Sequence, residues 1–182
     1  IPKKGAVADH TGGTTGKSLI VYNRVEDIQK RMAVLDFFKL KNGFENIKMK
    51  KATFMGKHIV PPNQKKKVFW RYNKPIKQML YSSFHLTEEN IPYYIDSLND
   101  FKPVAIDGFV SSIYEIAFYI KRKNVKLKFQ PKVIFTTSET LTEDYRQTIE
   151  EVFNCNVRDQ YASSEGAPFV WECEYGNLHY DI

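Results

Sequence analysis

Two periodicities of apolar and polar residues run along this chain, and the clearest stretch starts at Pro103. Pro103 to Ile106 is a short apolar run broken by Asp107-Gly108. Ser112 with Glu115 three residues later has the spacing of a capping box, which predicts a helix. Ile113, Ile116, Ala117 and Ile120 share one face of that helix, and Lys121, Arg122 and Lys123 lie at its negative dipole end. Val133, Ile134 and Phe135 read as a buried strand closed by Thr136, Thr137, Ser138 and Glu139. Thr142 is placed to cap a second helix in which Tyr145, Ile149, Val152 and Phe153 fall on one side. A third strand near Asn156 to Asp159 completes a β-α-β-α-β unit. Strands alternating with helices of this length predict an α/β fold with a partly parallel sheet and right-handed crossovers.

The earlier half is less regular. Val25 to Leu40 reads as a helix with Ile28, Leu35 and Phe38 near one face and Gly43 as its stop. From Ile47 to Phe84 the pattern is mixed: Pro61-Pro62-Asn63 marks a loop, and Val68 to Tyr72 reads as a strand. There is no internal repeat, no low-complexity linker and no apolar run long enough for a membrane span, so 182 residues are expected to form one domain. Open α/β sheets gather ligands at the carboxyl ends of their strands. Those ends are predicted at Asp107-Gly108, Thr136 to Glu139 and Gln160 to Glu165. Asp107, Glu139 and Glu165 are therefore expected to crowd together, a repulsion that a bound cation would relieve.

With 42% hydrophobic and 14% aromatic residues the chain is not disordered by composition. Its net charge of +6 hides an asymmetry. Residues 1–138 carry 25 Lys and Arg against 11 Asp and Glu, and residues 139–182 carry 2 against 10. A basic first part attracts polyanions, from a single nucleoside triphosphate to nucleic acid, although the run Lys65-Lys66-Lys67 reads first as solvated surface. In a nucleic-acid reading Trp70, Tyr72 and Phe84 would be stacking platforms, but no recognised nucleic-acid motif accompanies them. Cys155 and Cys173 are too few for a disulfide framework, which favours a reducing, cytoplasmic compartment. The first ten residues lack the apolar stretch of a secretory leader. The absence of an initial Met leads to the expectation that the sequence is part of a longer protein.

The most informative stretch for chemistry is His10-Thr11-Gly12-Gly13-Thr14-Thr15-Gly16-Lys17-Ser18. Its glycines allow close backbone approach, and its N–H groups, hydroxyls and lysine suit a phosphate. It is not a Walker A loop, because three residues separate Gly12 from Gly16 where that motif needs four, and no apolar strand is predicted just before it.

This stretch resembles the signature loop of the adenylate-forming superfamily, Ser/Thr-Gly-Thr-Thr-Gly-Lys. The similarity is greatest to the branch of phenylacetate-CoA ligase and its capsule-biosynthesis relatives. Asp159-Gln160-Tyr161-Ala162-Ser163-Ser164-Glu165 is similar to that family's Tyr-Gly-x-Ser/Thr-Glu element, with Ala162 in place of the usual glycine. Thr136-Thr137-Ser138-Glu139 resembles the segment lining the adenine pocket, and Glu172-Cys173 with Leu178-His179 resembles the branch's Glu-Cys...Leu-His stretch. The resemblance spans nearly the whole chain and implies the nucleotide-binding portion of a large N-terminal adenylation domain.

By that resemblance the enzyme would use ATP to convert a carboxylic acid to an acyl-adenylate and pass the acyl group to coenzyme A, or to an amine or sugar acceptor in a capsule-type role. Thr11, Gly12, Gly13, Thr14, Thr15, Gly16 and Lys17 would hold the phosphates. Gln160, Tyr161, Ala162 and Ser163 with Ser138 and Glu139 would form the adenine side, and Glu165, with the Ser164 hydroxyl nearby, would be the Mg²⁺ ligand. Lys17 and Glu165 are thus the implied catalytic residues. Cys173 and His179 are half of a possible Zn²⁺ site, to be completed by residues beyond Ile182 or by Cys155, or else an ordinary buried thiol and surface imidazole. The family's ribose-binding Asp, hinge and C-terminal Lys have no counterpart here, so this portion alone is expected to be inactive. Tyr81, Phe84, Phe109 and Tyr114 are aromatic candidates for the acid pocket or for the core.

Overall fold

Five short runs pair side by side to form the parallel centre of an eight-stranded sheet. A computed structural model describes residues 5–10, 19–163 and 169–180. The parallel strands are β3 (Lys51–Met55), β5 (Gln78–Ser82), β6 (Ala105–Phe109), β7 (Val133–Thr137) and β8 (Asn156–Tyr161). Antiparallel strands close both edges: β4 (Trp70–Asn73) beyond β5, and β9 (Val170–Glu172) then β10 (Leu178–Tyr180) beyond β8. The order is β10-β9-β8-β7-β6-β3-β5-β4. A separate hairpin pairs β1 (Ala6–His10) with β2 (Ile20–Arg24).

The central strands β3, β6 and β7 are buried along nearly their whole length, as parallel strands are when helices cover both faces. On one face α2 (Ile91–Phe101), α3 (Val110–Lys123) and α4 (Glu143–Phe153) pack against Ala52, Phe54, Tyr81, Ile106, Ile134 and Val157. On the other, α1 (Val25–Lys41) sets Phe38 against Phe135, beside Ala105 and Val133. Strand alternation separates these two sets, since successive residues point to opposite faces. Each fully buried Ile or Phe contributes about 1.5–3 kcal/mol relative to exposure.

The β-α-β-α-β unit from Ala105 to Tyr161 and the helix α1 match the pattern read from the sequence, and Thr142 does cap α4, accepting from the Tyr145 N–H at 3.4 Å. Two expectations need correction. Asp107-Gly108 does not end a strand, because β6 continues through both to Phe109. Ser112 is not an N-cap: α3 starts at Val110, and Ser112 lies inside the first turn with its hydroxyl donating to Ser83 Oγ. The cap comes instead from Glu139 of a distant loop, which sequence spacing does not register. The strand before the glycine-rich loop, β1, is largely exposed, in keeping with the expectation that no apolar strand precedes it. The mixed region from 47 to 84 contains β3, β4 and β5, and α2 was not anticipated at all.

The passage from β6 into α3 requires glycine. Gly108 has φ +151, and a Cβ there would lie 2.1 Å from the Phe54 carbonyl oxygen in the neighbouring strand β3. That oxygen belongs to the sheet centre and has no room to retreat. Gly108→Ala is therefore expected to reduce stability by about 3 kcal/mol or more. Urea unfolding of the purified variant checks this, and an unchanged midpoint would overturn it.

Candidate functional site

The chain leaves β3 toward β5 on one side of the sheet, whereas β6, β7 and β8 progress toward the other. The connections therefore diverge at the carboxyl ends of β3 and β6, where open α/β sheets form their ligand crevice. Gly56 directly follows β3, and a Cβ there would lie 2.9 Å from Cε2 of the Phe109 ring at the end of β6. Phe84, which is exposed, stacks on His58 with centroids 4.8 Å apart. Ser112 hydrogen-bonds Ser83 at 3.0 Å, which ties the segment after β5 to the first turn of α3. Of the four aromatic candidates, Phe84 and Phe109 thus stand at the carboxyl edge. Tyr81 is fully buried in the core, where burial raises its phenol well above the ordinary value, and Tyr114 stacks on Tyr145 against that core.

At the end of β7, Ser138 adopts the left-handed region with φ +68, an unfavourable state for a non-glycine residue. The turn it makes carries Glu139 to the start of α3. There the carboxylate accepts from the Ser111 N–H at 2.7 Å and the Ser111 hydroxyl at 2.9 Å, a placement the positive end of the helix dipole favours. Asp107 does not join Glu139 at the edge as expected. Its carboxylate turns under α1, where Lys39 donates to it at 2.5 Å and Lys51 lies 3.7 Å away. Lysines neutralise Asp107 there, while Glu165 lies outside the described residues.

At the end of β8, Gln160 is buried, with Nε2 donating to Asp107 at 3.4 Å and Oε1 lacking any hydrogen-bond partner among the described residues. Asp159 accepts from Thr136 Oγ1 at 3.0 Å, and burial raises its carboxyl above the usual range. Tyr161 and Ala162 are exposed, and Ser163 is half-buried. The Ser163 carbonyl accepts from Arg31 Nη2 at 2.9 Å, which joins this segment to α1. Thr11, Gly12, Gly13, Thr14, Thr15, Gly16, Lys17, Ser164 and Glu165 lie outside the described residues. The hairpin's register places the two residues that bracket this segment, since His10 pairs with Ile20 at the hairpin's loop end. Sequence reasoning missed Arg31, since Lys30-Arg31 within an amphipathic helix reads as solvated surface.

Cys173 and His179 both line a cavity of about 500 Å³ together with Phe37, Lys41, Trp171 and Tyr175. Cys155 does not line it. That side chain packs against the core on the α2–α4 face, and burial pushes its thiol up to about 12. Among the described residues no group of three or more His, Cys, Asp or Glu is arranged to hold a metal ion. The three proposed stacking residues are engaged separately: Trp70 packs on Tyr81 and Tyr94, Tyr72 meets Phe101 edge-on, and Phe84 covers His58. No described helix is long and apolar enough to cross a membrane.

No protein-family model matches the chain. Over 172 residues it is 48% identical to protein CapK of Staphylococcus aureus, a match covering 94% of this chain and 38% of CapK. In fold it is similar to 2-hydroxyisobutyryl-CoA ligase in complex with 2-HIB-AMP and CoA, with TM-score 0.62 and 14% identity over 97% of this chain and 41% of that one. It is also similar to the anthranilate CoA ligase AuaEII in complex with anthranoyl-AMP, with TM-score 0.57 and 11% identity over 93% of this chain and 32% of that one. At these identities the structural likeness establishes the fold, a mainly parallel α/β sheet of the kind found in these ligases. The chain spans about two-fifths of the length of CapK and of the hydroxyisobutyryl-CoA ligase.

The Glu139 contact to α3 has a measurable consequence. Glu139→Ala removes both acceptors from the helix start, and a stability loss of about 1 kcal/mol is expected, as for other lost N-caps. A urea midpoint equal to that of the parent protein would show that the contact adds nothing.

Proposed function

We propose that this chain is the nucleotide-binding portion of an N-terminal adenylation domain, in a longer enzyme that activates a carboxylic acid with ATP. The observation that carries this reading is the tie between α1 and Ser163, which joins the elements flanking the two motif segments, 11–17 and 159–165, at one edge of the sheet. The CapK similarity and the shared ligase fold support it. In the proposed reaction a carboxylate oxygen attacks the α-phosphorus and pyrophosphate departs, so the protein must grip the leaving group and offset the negative charge that develops. Thr11 to Lys17 would grip the β- and γ-phosphates. Gln160 to Ser163 would flank the adenine, and Ser138 with Glu139, already held against α3, would shape the same pocket. Mg²⁺, held by Glu165, would neutralise phosphate charge.

The acyl acceptor is proposed to be coenzyme A, as a CoA ligase fold supports. The CapK similarity favours a second reading in which the acceptor is an amine or sugar, in capsule synthesis. The chemistry up to the adenylate is common to both, and a cytoplasmic setting suits either. The test is carboxylate-dependent exchange of pyrophosphate into ATP by the intact protein, with a panel of aromatic and short aliphatic acids. Lys17→Ala and Glu165→Gln are expected to lower the exchange rate by on the order of 10²-fold, about 3 kcal/mol of transition-state stabilisation, and Glu165→Gln to raise the Mg²⁺ requirement as well. Equal rates and equal Mg²⁺ dependence in parent and variants would reject the assigned roles.

Zinc is the second proposed metal. Cys173 and His179 border one cavity but provide two of the four donors that a structural zinc takes, so the other two would come from residues outside those described. Metal analysis of the intact protein is expected to find zinc that Cys173→Ser abolishes. A metal-free parent protein prepared without chelators would rule the site out.

A further inference from the structure

We propose that the cavity between the edge strands β4 and β5 and helix α2 is a binding site for a small organic ammonium, an amine carried on an aromatic or alkyl body. It lies at the β4 edge of the sheet, whereas β8 lies toward the other edge, and it is independent of the adenylation reading. In the β4–β5 pair Trp70 stands opposite Tyr81 and Tyr72 opposite Met79. Residues two apart on a strand share a face, so all four turn toward α2. Within α2, Tyr93, Asp96, Ser97 and Asp100 follow the i, i+3, i+4, i+7 spacing of one helical face. With Phe101 they border a cavity of about 380 Å³ over Trp70 and Met79. That volume falls in the roughly 300–1,000 Å³ range of small-molecule sites.

The floor is apolar. Trp70 backs onto Tyr81 and Tyr94 with centroids 5.9 and 6.2 Å away, and the buried Ser97 keeps its hydroxyl 3.0 Å from the Tyr81 hydroxyl. The polar capacity of the cavity therefore comes from Asp96 and Asp100, which are exposed. Neither has an ion pair or a hydrogen bond among the described residues, in a chain of net charge +6. Their placement also opposes the helix. Like charges four residues apart repel, and Asp100 lies in the last turn, where the dipole disfavours a carboxylate and no basic residue offsets it. A cation bound between them relieves both repulsions. The aromatic walls attract the same charge: Lys67 Nζ stands 5.7 Å from the Tyr93 ring centroid and Lys50 Nζ 5.4 Å from that of Phe101. Both ammonium groups are tied elsewhere, Lys67 to Glu89 at 2.7 Å and Lys50 to the Phe101 carbonyl at 3.1 Å, so the aspartates stay unneutralised. A hard metal ion would use the carboxylates alone, whereas an organic ammonium uses the carboxylates and the apolar floor together.

Calorimetric titration of the intact protein with 2-phenylethylammonium tests the site, with uncharged 2-phenylethanol as the control. The amine is expected to bind with a Kd of about 1 mM or tighter, and the alcohol at least about tenfold more weakly. Asp96→Asn combined with Asp100→Asn is expected to weaken amine binding by about tenfold or more. Its thermal midpoint should stay level or rise, because a like-charge repulsion has gone; aspartates that serve only the fold would lower it. In Trp171→Phe, where Trp70 is the one remaining tryptophan, emission is expected to change saturably with the amine, which places the ligand in this cavity. Absence of amine binding up to about 10 mM, equal binding of the alcohol, or unchanged binding in the double variant overturns the proposal. Displacement of the amine by an equal concentration of Mg²⁺ overturns the assignment to an organic cation.

Discussion

The carboxylate of Asp107 is the interaction around which this molecule is arranged. It sits in the middle of the central strand β6, and it is approached by Lys39 from α1, Lys51 from β3 and Gln160 from β8. Two ammonium groups thus share one carboxylate in the interior. Burial holds the Lys51 amine below the ordinary lysine value, with the charge on nearby Lys39 acting in the same direction. Such a cluster adds little stability over well-packed hydrophobes, yet breaking it by removing one partner costs about 3–5 kcal/mol because a charge is left uncompensated. Its effect is on register. An apolar α1 would slide on the sheet at small cost, whereas one whose lysine must meet Asp107 has a single favourable position.

That position matters because α1 carries the hairpin. The sheet offers a carboxyl edge at β3 and β6, where Gly56 lies against the Phe109 ring and Phe84 stacks on His58, and it offers the end of β8 farther along. The hairpin that brackets the glycine-rich segment is not part of that sheet. The link is made through α1, with Lys39 and Asn42 holding its base and Arg31 meeting Ser163. Core packing, a buried ion pair and a single hydrogen bond therefore act in series to set α1 against the sheet and the end of β8.

Much of this was legible in the sequence wherever packing and pattern coincide. Ile113, Ile116, Ala117 and Ile120 all face the core as their spacing predicts, and Val133 to Phe135 form a strand because both faces of it are covered. Reading failed where a side chain serves a distant partner. Ser112 has the spacing of a cap, but Glu139 occupies the helix start, so the serine turns to Ser83. Asp107-Gly108 has the composition of a turn, but the glycine is there to let Phe54 approach and the aspartate to meet lysines. Strand β3 was hidden because Lys51 and Thr53 face the polar network beneath α1, which breaks the apolar run that marks a buried strand. For the proposed site, order in the sequence singles out the motif residues but not Arg31, since a lone arginine in a helix has no local signature.

The charge asymmetry also takes on a different meaning once the partners are known. Several basic side chains of the first half are matched close by: Lys67 with Glu89, Arg122 with Glu88, Lys48 with Glu45 and Lys121 with Glu151. These exposed pairs contribute little to stability, but they diminish the field that a long polyanion would feel. The rings required for base stacking are likewise engaged with other parts of the fold rather than aligned in a row. What remains is local: the Arg31 guanidinium beside the end of β8. A compact polyanion suits such a local charge better than an extended one does, which agrees with the proposed nucleotide site.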